Sequence, residues 1–269
     1  MDVVKWLAVA AVVIYAAIVA AMYVGQRSLL FPLRPDRTAP AQAGFPEAQE
    51  HMLMTQDGER LVTWLRPPAG PTNPLFLMFF GNGDNLGMIA RHLRQMTEDG
   101  SGVLAVAYRG YSGSTGSPSE AGLTQDAEAA YRFAVSVVPA NRIVLFGYSL
   151  GSGVAVPLAS RHQAAALVLF APFSSAVAIA KADYPWIPVR FLMKDQFRSI
   201  DVVGKIKVPM LVVHGERDEV VPISFGRELY AAISAPKRFV ALPQADHFSL
   251  FDYGGVSVIR EFLGEFGLR

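Results

Sequence analysis

A serine between two glycines is the residue whose surroundings point most directly to chemistry. Residues 147–151 read Gly-Tyr-Ser-Leu-Gly, directly after the predicted strand 142–146 and at the start of a segment of helical composition. The pattern Gly-x-Ser-x-Gly between a strand and a helix is typical of a sharp turn that exposes the serine hydroxyl. Such a turn holds the serine in a sparsely populated conformation, and the following helix directs free N–H groups toward it. We therefore expect Ser149 to be a nucleophile rather than part of a structural turn.

A serine hydroxyl needs a general base, and the base needs an orienting carboxylate. On this kind of turn the partners follow in the order serine, acid, histidine. Asp218 ends the sequence His-Gly-Glu-Arg-Asp after the apolar run 210–213, and His247 ends Pro-Gln-Ala-Asp-His after the last such run. Both loops follow the carboxyl end of a strand, where ligands gather in parallel sheets. We expect Asp218 and His247 to complete a triad with Ser149, with Glu216 as the reserve acid.

The other histidines fit the role of base less well. His51 lies in a predicted hairpin, His92 and His162 lie within or at the end of predicted helices, and His214 ends a strand. A histidine in these positions more often has a structural role. Asp246 is adjacent to the proposed base, but we expect its side chain to point away from the site.

An oxyanion formed beside the serine needs N–H donors. The backbone N–H of Leu150, directly after the serine, is one expected donor. The other should come from the loop 81–85, Gly-Asn-Gly-Asp-Asn, after the apolar run 75–80, and we choose the N–H of Asn82. Asp84 or Asn85 can cap the next helix at the same time.

A second glycine-rich loop spans residues 108–120 after the next apolar run. Its glycines allow tight turns near the site, and Ser119 is a plausible helix N-cap. Arg109 could hold this loop or bind a carboxylate, and we expect a structural role for it.

Short apolar runs alternate with helix-length segments through most of the chain. The runs show little apolar and polar alternation, as expected for strands buried on both faces of a parallel sheet; they lie at 75–80, 103–107, 143–146, 166–170, 210–213 and 239–242. The intervening helical segments lie at about 85–98, 119–138, 150–162, 222–234 and 252–266. This alternation predicts an α/β fold, with a mostly parallel central sheet and helices on both faces.

Three segments differ from this alternation. Residues 49–55 and 60–66 flank a predicted turn at 56–59 and should form a hairpin at the start of the folded domain. Residues 172–205 are rich in proline and aromatic residues and are too long for a simple crossover, so we interpret them as a short cap over the site. The proline-rich residues 28–48 read as a linker, which leaves residues 49–269 as one domain.

The N-terminus carries an uncharged apolar stretch at residues 6–24. Such a stretch extends for roughly 28 Å as a helix, close to the thickness of the bilayer hydrocarbon. We expect residues 1–27 to be a single-pass membrane anchor, although a signal peptide cleaved after Ala21 is the alternative. Arginines follow the stretch and one lysine precedes it, which favours a catalytic domain on the cytoplasmic side.

Composition limits the remaining classes of function. The 269 residues have a net charge of +1 with scattered basic residues, which indicates no nucleic-acid surface. The chain has no cysteine, so disulfides, zinc–thiolate sites and thiol nucleophiles are excluded. The motifs imply neither a metal nor an organic cofactor, and they do not indicate an oligomeric state.

Four of these segments together resemble the α/β-hydrolase superfamily: Gly-Tyr-Ser-Leu-Gly, Tyr-Arg-Gly-Tyr-Ser-Gly-Ser-x-Gly, Gly-Asn-Gly-Asp-Asn and His-Gly-Glu-Arg-Asp. More narrowly, the chain resembles the membrane-anchored abhydrolase-domain branch (Bem-type proteins), which are single-pass serine hydrolases. The resemblance runs from about residue 50 to the C-terminus, and the N-terminal apolar stretch also fits. It implies Ser149, Asp218 and His247 as triad and Asn82 with Leu150 as oxyanion donors.

Two positions depart from the pattern of that family. Phe80 stands where the family usually has the histidine of His-Gly-Asn, which leaves the following Gly-Asn backbone in place. At the catalytic histidine the family usually has Gly-His-Asn-Asp, whereas residues 246–249 read Asp-His-Phe-Ser. The second departure would change the pocket wall or the leaving-group side and leaves His247 itself in place.

These observations predict a serine hydrolase that cleaves carboxyl esters or thioesters through an acyl-enzyme on Ser149. The aromatic cap beside a membrane anchor favours a small-molecule or lipid-like substrate with an apolar acyl group. One alternative is a membrane-tethered scaffold or binding protein with an inactive site, and another is an acyltransferase with the same triad. The chain shows no added domain that would select short peptides. Serine rather than aspartate at position 149 disfavours dehalogenase and epoxide hydrolase chemistry.

Overall fold

The computed structural model describes residues 2–268, whose strands form one eight-stranded sheet. The strands lie in the order β1-β2-β4-β3-β5-β6-β7-β8, and all neighbours are parallel except β1 with β2 and β2 with β4. Their bounds are β1 (Gln49–Met54), β2 (Arg60–Arg66), β3 (Leu75–Phe79), β4 (Gly102–Val106), β5 (Ile143–Tyr148), β6 (Ala166–Phe170), β7 (Met210–Gly215) and β8 (Lys237–Leu242). The mostly parallel sheet predicted from the apolar runs is confirmed.

The helices follow the predicted alternation with the strands. They are α1 (Asp2–Leu30), α2 (Leu86–Thr97), α3 (Glu120–Val137), α4 (Leu150–Ala159), α5 (Ala176–Asp183), α6 (Val189–Leu192), α7 (Ile223–Ala231) and α8 (Gly255–Glu265). The path from β3 to β4 runs across the sheet in the opposite direction to the later crossovers. Because such crossovers are right-handed, α2 lies on one face and α3, α4 and α7 on the other. His92 of α2 stacks on Phe251 just ahead of α8, which places α8 beside α2.

The middle of the sheet forms the core of the domain. Every residue of β3 to β7 is buried, as expected for strands covered by helices on both faces. The edge strands β1 and β8 are partly exposed instead. A sheet packed in this way holds the carboxyl ends of its parallel strands in fixed positions, and the loops that follow them carry the candidate site.

The N-terminal helix α1 is one continuous element from Asp2 to Leu30. It is long and apolar enough to cross a membrane, as the sequence analysis expected. It extends three residues past the expected anchor boundary at residue 27, since nothing interrupts the helical stretch before Pro32, which disfavours helical conformation in the residue ahead of it. The remainder of the expected linker, from Phe31 onward, is non-helical and lies against the domain, with Phe31 and Phe45 buried.

The expected cap segment, residues 172–205, contains α5, α6 and two short 3-10 turns at Ser199–Asp201 and Val203–Lys205. Its chain is anchored by Phe173 and Phe197, which are buried in the main core. Between these anchors, much of the surface of residues 181–191 is exposed. Helix α1 packs beside this segment, and the two elements are joined by an ion pair between Arg27 and the buried Asp195.

Candidate active site

Ser149 lies on a sharp turn between β5 and α4, as the motif predicted. Its backbone has φ 51° and ψ −118°, a conformation that costs a non-glycine residue on the order of 1–3 kcal/mol. The surrounding structure leaves no space for other residues at the two glycines. A Cβ at Gly147 would lie 2.6 Å from the carbonyl oxygen of Gly151, and a Cβ at Gly151 would lie 2.0 Å from that of Phe79. The close approach of α4 to β3 therefore requires this sequence.

His247 lies between Ser149 and Asp218 and contacts both. Its Nε2 is 2.9 Å from the Ser149 hydroxyl oxygen, and its Nδ1 is 2.8 Å from Asp218 Oδ2. All three residues are buried. A carboxylate can only accept a hydrogen bond, so Nδ1 carries the proton and Nε2 is left to accept the one from the serine. The structure thus brings together the three side chains that the sequence analysis placed in separate loops.

Asp218 is held as a carboxylate by several donors. Burial raises its pKa, but hydrogen bonds from His214 and His247, together with the Val221 backbone N–H, outweigh burial and hold the pKa well below its usual range. Its Oδ1 accepts the N–H groups of Val220 at 3.0 Å and Val221 at 2.7 Å. The charged form can therefore orient the imidazole and stabilise its protonated state.

His214 approaches the same carboxylate oxygen of Asp218 as His247 does. Its Nε2 is 2.7 Å from the Val221 carbonyl oxygen and 3.4 Å from Asp218 Oδ2, and both of these atoms are acceptors. This nitrogen must therefore carry a proton, and the other ring nitrogen, Nδ1, faces Gly226 of α7. The expectation that His214 has a structural role agrees with this arrangement.

The expected oxyanion donors lie beside the serine. Asn82 and Leu150 line the same cavity as Ser149, and a Cβ at Gly81 would be 3.7 Å from the Ser149 Cβ. Leu150 is the first residue of α4, where a backbone N–H has no acceptor within the helix. The Asn82 loop is fixed from two sides, since its carbonyl oxygen accepts the Tyr111 hydroxyl at 2.9 Å and its side-chain amide donates to the Leu30 carbonyl at 2.9 Å.

Asp84 follows in the same loop and lies close enough to His247 to interact with it electrostatically. Burial raises the pKa of its carboxyl group, against the backbone N–H of Gly81 and the nearby His247. The cap of α2 is provided by Asn85, whose side chain accepts the Met88 N–H at 2.9 Å.

A cavity of about 330 Å³ opens beside Ser149. Its floor includes Asn82, Ser149 and Leu150, and its walls come mainly from the cap segment and α1, together with Val220 and Val221 of the loop after β7. The cap contributes chiefly apolar side chains: Phe173, Ala176, Ile179, Ala180, Tyr184, Ile187, Val189, Leu192 and Met193. Helix α1 contributes Val19, Met22, Tyr23, Gln26, Leu29 and Leu30. The cavity therefore suits a group that is mainly apolar, with its reactive end at the sheet.

Comparison with known proteins gives a consistent family assignment. The family model described as serine aminopeptidase, S33, matches residues 70–194. The uncharacterised protein Rv2307c of Mycobacterium tuberculosis is 37% identical over 246 residues, which cover 89% of this chain and 88% of the relative. Human alpha/beta hydrolase domain-containing protein 17B is 28% identical over 207 residues, which cover 76% and 70%. The chain belongs to the α/β-hydrolase superfamily.

A solved structure shows the same fold. The esterase Pf2001 of Pyrococcus furiosus superposes with a TM-score of 0.70 over 87% of this α/β-hydrolase and 97% of the esterase, at 19% sequence identity. At that identity the likeness concerns the fold. The chain is therefore a hydrolase by family and an α/β-hydrolase by structure, as the motifs predicted.

The other candidates from the sequence lie away from Ser149 of this α/β-hydrolase. Glu216 is exposed and contacts the domain through its backbone N–H, so the structure does not bring the reserve acid into the site. Asp246 accepts hydrogen bonds from Phe248 and Ser249 in its own turn and points away, as expected. Arg109 bridges Asp57 and Asp126, which fits the structural role expected for it.

Two features of the site of this α/β-hydrolase were not predicted from the sequence. The Tyr148 hydroxyl donates a short hydrogen bond to the His247 backbone carbonyl, and burial raises the pKa of Tyr148 so that the phenol stays protonated. The second feature is the contribution of α1 to the cavity. Its partly buried residues Val19, Met22, Gln26 and Leu30 recur at helical spacing, a signal that the uniformly apolar composition of the helix concealed.

Proposed function

We propose that this α/β-hydrolase cleaves carboxyl esters or thioesters with an apolar acyl group through an acyl-enzyme on Ser149. The observation that carries the proposal is the continuous path Ser149–His247–Asp218, at 2.9 Å and 2.8 Å, on the floor of an apolar cavity. A binding protein has no need for a strained serine that is hydrogen-bonded to a buried histidine and carboxylate.

The first half of the reaction forms the acyl-enzyme. The Ser149 oxygen attacks the acyl carbon while its proton moves to Nε2 of His247. Negative charge develops on the former carbonyl oxygen and is stabilised by the N–H groups of Asn82 and Leu150. The bond to the leaving oxygen or sulfur then breaks, and His247 gives its proton to the departing alcohol or thiol.

The second half releases the acyl group. His247 removes a proton from water, the hydroxide oxygen attacks the acyl carbon, and the bond to Ser149 breaks as the serine regains its proton. Asp218 remains a carboxylate throughout. It keeps the proton of His247 on Nδ1 in the resting state and stabilises the imidazolium that forms in each half-reaction.

The cavity supports an apolar acyl group as the preferred substrate. Its walls are mainly aliphatic and aromatic, and each methylene that they remove from water contributes about 0.8 kcal/mol. Gln26 and Asp183 are polar exceptions on the wall. A panel of esters, acyl-thioesters and amino-acid anilides compares this preference with the aminopeptidase activity named by the matching family model.

We also propose that α1 is a retained membrane anchor. Val19 lines the cavity ahead of the possible signal-peptidase site, so cleavage after Ala21 would remove part of the wall. Arg27 pairs with Asp195, whose carboxylate also accepts the Glu120 N–H at 2.9 Å, so the same helix is joined to the domain. The arginines at positions 27, 34 and 37 favour a catalytic domain on the cytoplasmic side.

The nucleophile is tested with Ser149→Ala in the full-length protein in detergent. Hydrolysis of p-nitrophenyl butyrate should fall by a factor on the order of 10³ or more, because the residual rate comes only from binding and the oxyanion donors. A fluorophosphonate probe should label the wild type at Ser149 and leave the variant unlabelled. The matched control is Ser160→Ala, since Ser160 lies at the end of α4 and bonds only within its own turn.

Two results would overturn this assignment. One is full esterase activity in the Ser149→Ala protein. The other is absence of labelling in folded wild-type protein, which would support the alternative of a membrane-tethered scaffold.

A further inference from the structure

The contact between α1 and the cap begins unexpectedly far from the end of the helix. The Tyr15 hydroxyl donates to the Trp186 backbone carbonyl at 2.9 Å, and the two rings are 6.2 Å apart. Tyr15 lies within the apolar stretch 6–24, roughly 13 Å along the helix axis from Val24. The cap therefore extends back along the part of the helix that is expected to lie in the membrane.

The position of Lys5 makes this overlap unavoidable if the helix spans a bilayer. The uncharged residues between Lys5 and Tyr15 extend only about 14 Å, whereas the hydrocarbon core is about 30 Å thick. The helix can cross the core only if the turns after Tyr15 also lie within it. Those turns include Val19 and Met22, which line the cavity together with cap residues.

The surface of the cap tip, which we define as residues 184–192, has the composition that such a position requires. Phe191 is 83% exposed and Trp186 is 51% exposed, and Tyr184 is also exposed. None of these rings is needed to fill the domain core, and an exposed apolar cluster of this kind marks a membrane or protein contact.

Charged side chains lie beside and within the cap tip and must be accommodated. Lys181 and Asp183 are exposed just ahead of the tip, and Arg190 is exposed within it. Long basic side chains can extend to the lipid headgroups while their methylenes stay in the apolar layer. Asp183 directly precedes the tip at the end of α5 and also lines the cavity, so immersion of the tip requires this carboxylate to stay hydrated at the level of the headgroups.

We propose that the cap tip is immersed in the same leaflet as the second half of α1, so that the cavity opens among the lipid acyl chains. The substrate is then an ester or thioester that resides in the bilayer, and its acyl chain reaches Ser149 without passing through water. Immersion rests on the retained anchor, and the choice of substrate rests also on the proposed hydrolase function. The occupant of this surface is lipid rather than a second copy of the chain.

The absence of native cysteine allows a site-specific test. A nitroxide spin label is attached to Phe191→Cys in the full-length protein, reconstituted in phosphatidylcholine liposomes. The matched control is Val135→Cys, an exposed position in the last turn of α3. This turn leads to the amino end of β5, whereas the candidate site lies at the carboxyl ends of the strands. The label at position 191 should be more accessible to oxygen than to a water-soluble nickel complex, and the control label should show the reverse.

Greater accessibility of the label at position 191 to the nickel complex would overturn immersion. So would dipolar broadening between labels at position 191, because that would show a second copy of the chain on this face. Both measurements are independent of catalysis, so immersion and the hydrolase assignment can fail separately.

The substrate part of the proposal is tested with Phe191→Asp. Hydrolysis of a long-chain ester embedded in liposomes should fall by about tenfold or more, because a carboxylate opposes immersion. Hydrolysis of soluble p-nitrophenyl butyrate and fluorophosphonate labelling should stay within about twofold, since Phe191 is not part of the cavity wall. Val135→Asp should leave both activities unchanged. Unchanged hydrolysis of the embedded ester, or an equal loss on both substrates, would overturn the membrane route.

Discussion

The residues that would carry out the chemistry and the walls that would select the substrate come from regions with different exposure. Ser149, Asp218 and His247 are buried at the carboxyl ends of β5, β7 and β8, of which β5 and β7 are buried along their whole length. The walls come from the cap and α1, where several large apolar side chains face outward. In the first region, position is determined by the sheet. In the second region, large apolar side chains remain exposed, and their contact with water is unfavourable.

The difference indicates how the two regions respond to change. A substitution at the carboxyl ends of the strands should alter the rate on every substrate, because in the proposed mechanism every acyl group meets the same nucleophile and base. A substitution in the wall should alter which acyl group is preferred. A substitution at the junction between the two regions should have a small effect of both kinds.

The largest effect is expected for Asp218→Asn, which removes the carboxylate that contacts His247. The amide can no longer hold His247 in the required tautomer, so kcat should fall by a factor on the order of 10⁴. The order of preference among butyrate, octanoate and decanoate esters should remain the same. Steady-state kinetics with all three esters measures both quantities.

The control for this substitution is Glu216→Gln, which should retain activity within about twofold because Glu216 is exposed and outside the site. If Glu216→Gln lost activity while Asp218→Asn retained it, the acid would be assigned to the wrong residue.

A change of specificity is expected for Ala180→Trp in the cap wall. The indole should occupy the space of about two substrate methylenes, each contributing about 0.8 kcal/mol. The ratio of kcat/KM for decanoate to that for butyrate should therefore fall by about tenfold. Met88→Trp is the control, because Met88 is exposed on α2 and does not line the cavity. An unchanged ratio would show that acyl chains bind elsewhere.

The smallest effect is expected for Asn82→Ala at the junction of the two regions. The substitution keeps the backbone N–H but removes the hydrogen bond from the side chain to the Leu30 carbonyl at the end of α1. A loss of about 1 kcal/mol of positioning corresponds to about a fivefold fall in kcat. The control is Asn73→Ala, in the loop just ahead of the amino end of β3, and this substitution should leave kcat unchanged. If Asn82→Ala leaves kcat unchanged, the helix does not influence the oxyanion loop.

Much of the fold and of the site could be predicted because both depend on local patterns. The buried strands are short apolar runs, and the predicted strand at 166–170 coincides with β6. Ser149, Asp218 and His247 each follow such a run, so the order of the strands and the common direction of their carboxyl ends bring them together. The ends of the elements were less predictable. The helix expected at 150–162 ends at Ala159, since such boundaries depend on capping contacts.

The features that were missed depend on contacts between distant segments. Tyr148 occupies a variable position of its motif, and its hydrogen bond to the His247 carbonyl arises from the packing of two loops. Helix α1 is apolar on every side, so its sequence does not reveal which side meets the cap. Only the fold shows that Tyr15 contacts Trp186, which lies 171 residues away in the sequence.

Helix α1 continues without interruption to Leu30, where its last carbonyl oxygen accepts a hydrogen bond from Asn82, so no flexible stalk separates the proposed membrane segment from the loop proposed to bind the oxyanion. In an enzyme held in this way, the active site cannot move away from the membrane into the aqueous phase. It encounters only molecules that diffuse in the plane of its own leaflet. Its turnover should then depend on the mole fraction of substrate among the lipids rather than on bulk concentration. Dilution with inert lipid should slow it even when the total amounts of enzyme and substrate are constant.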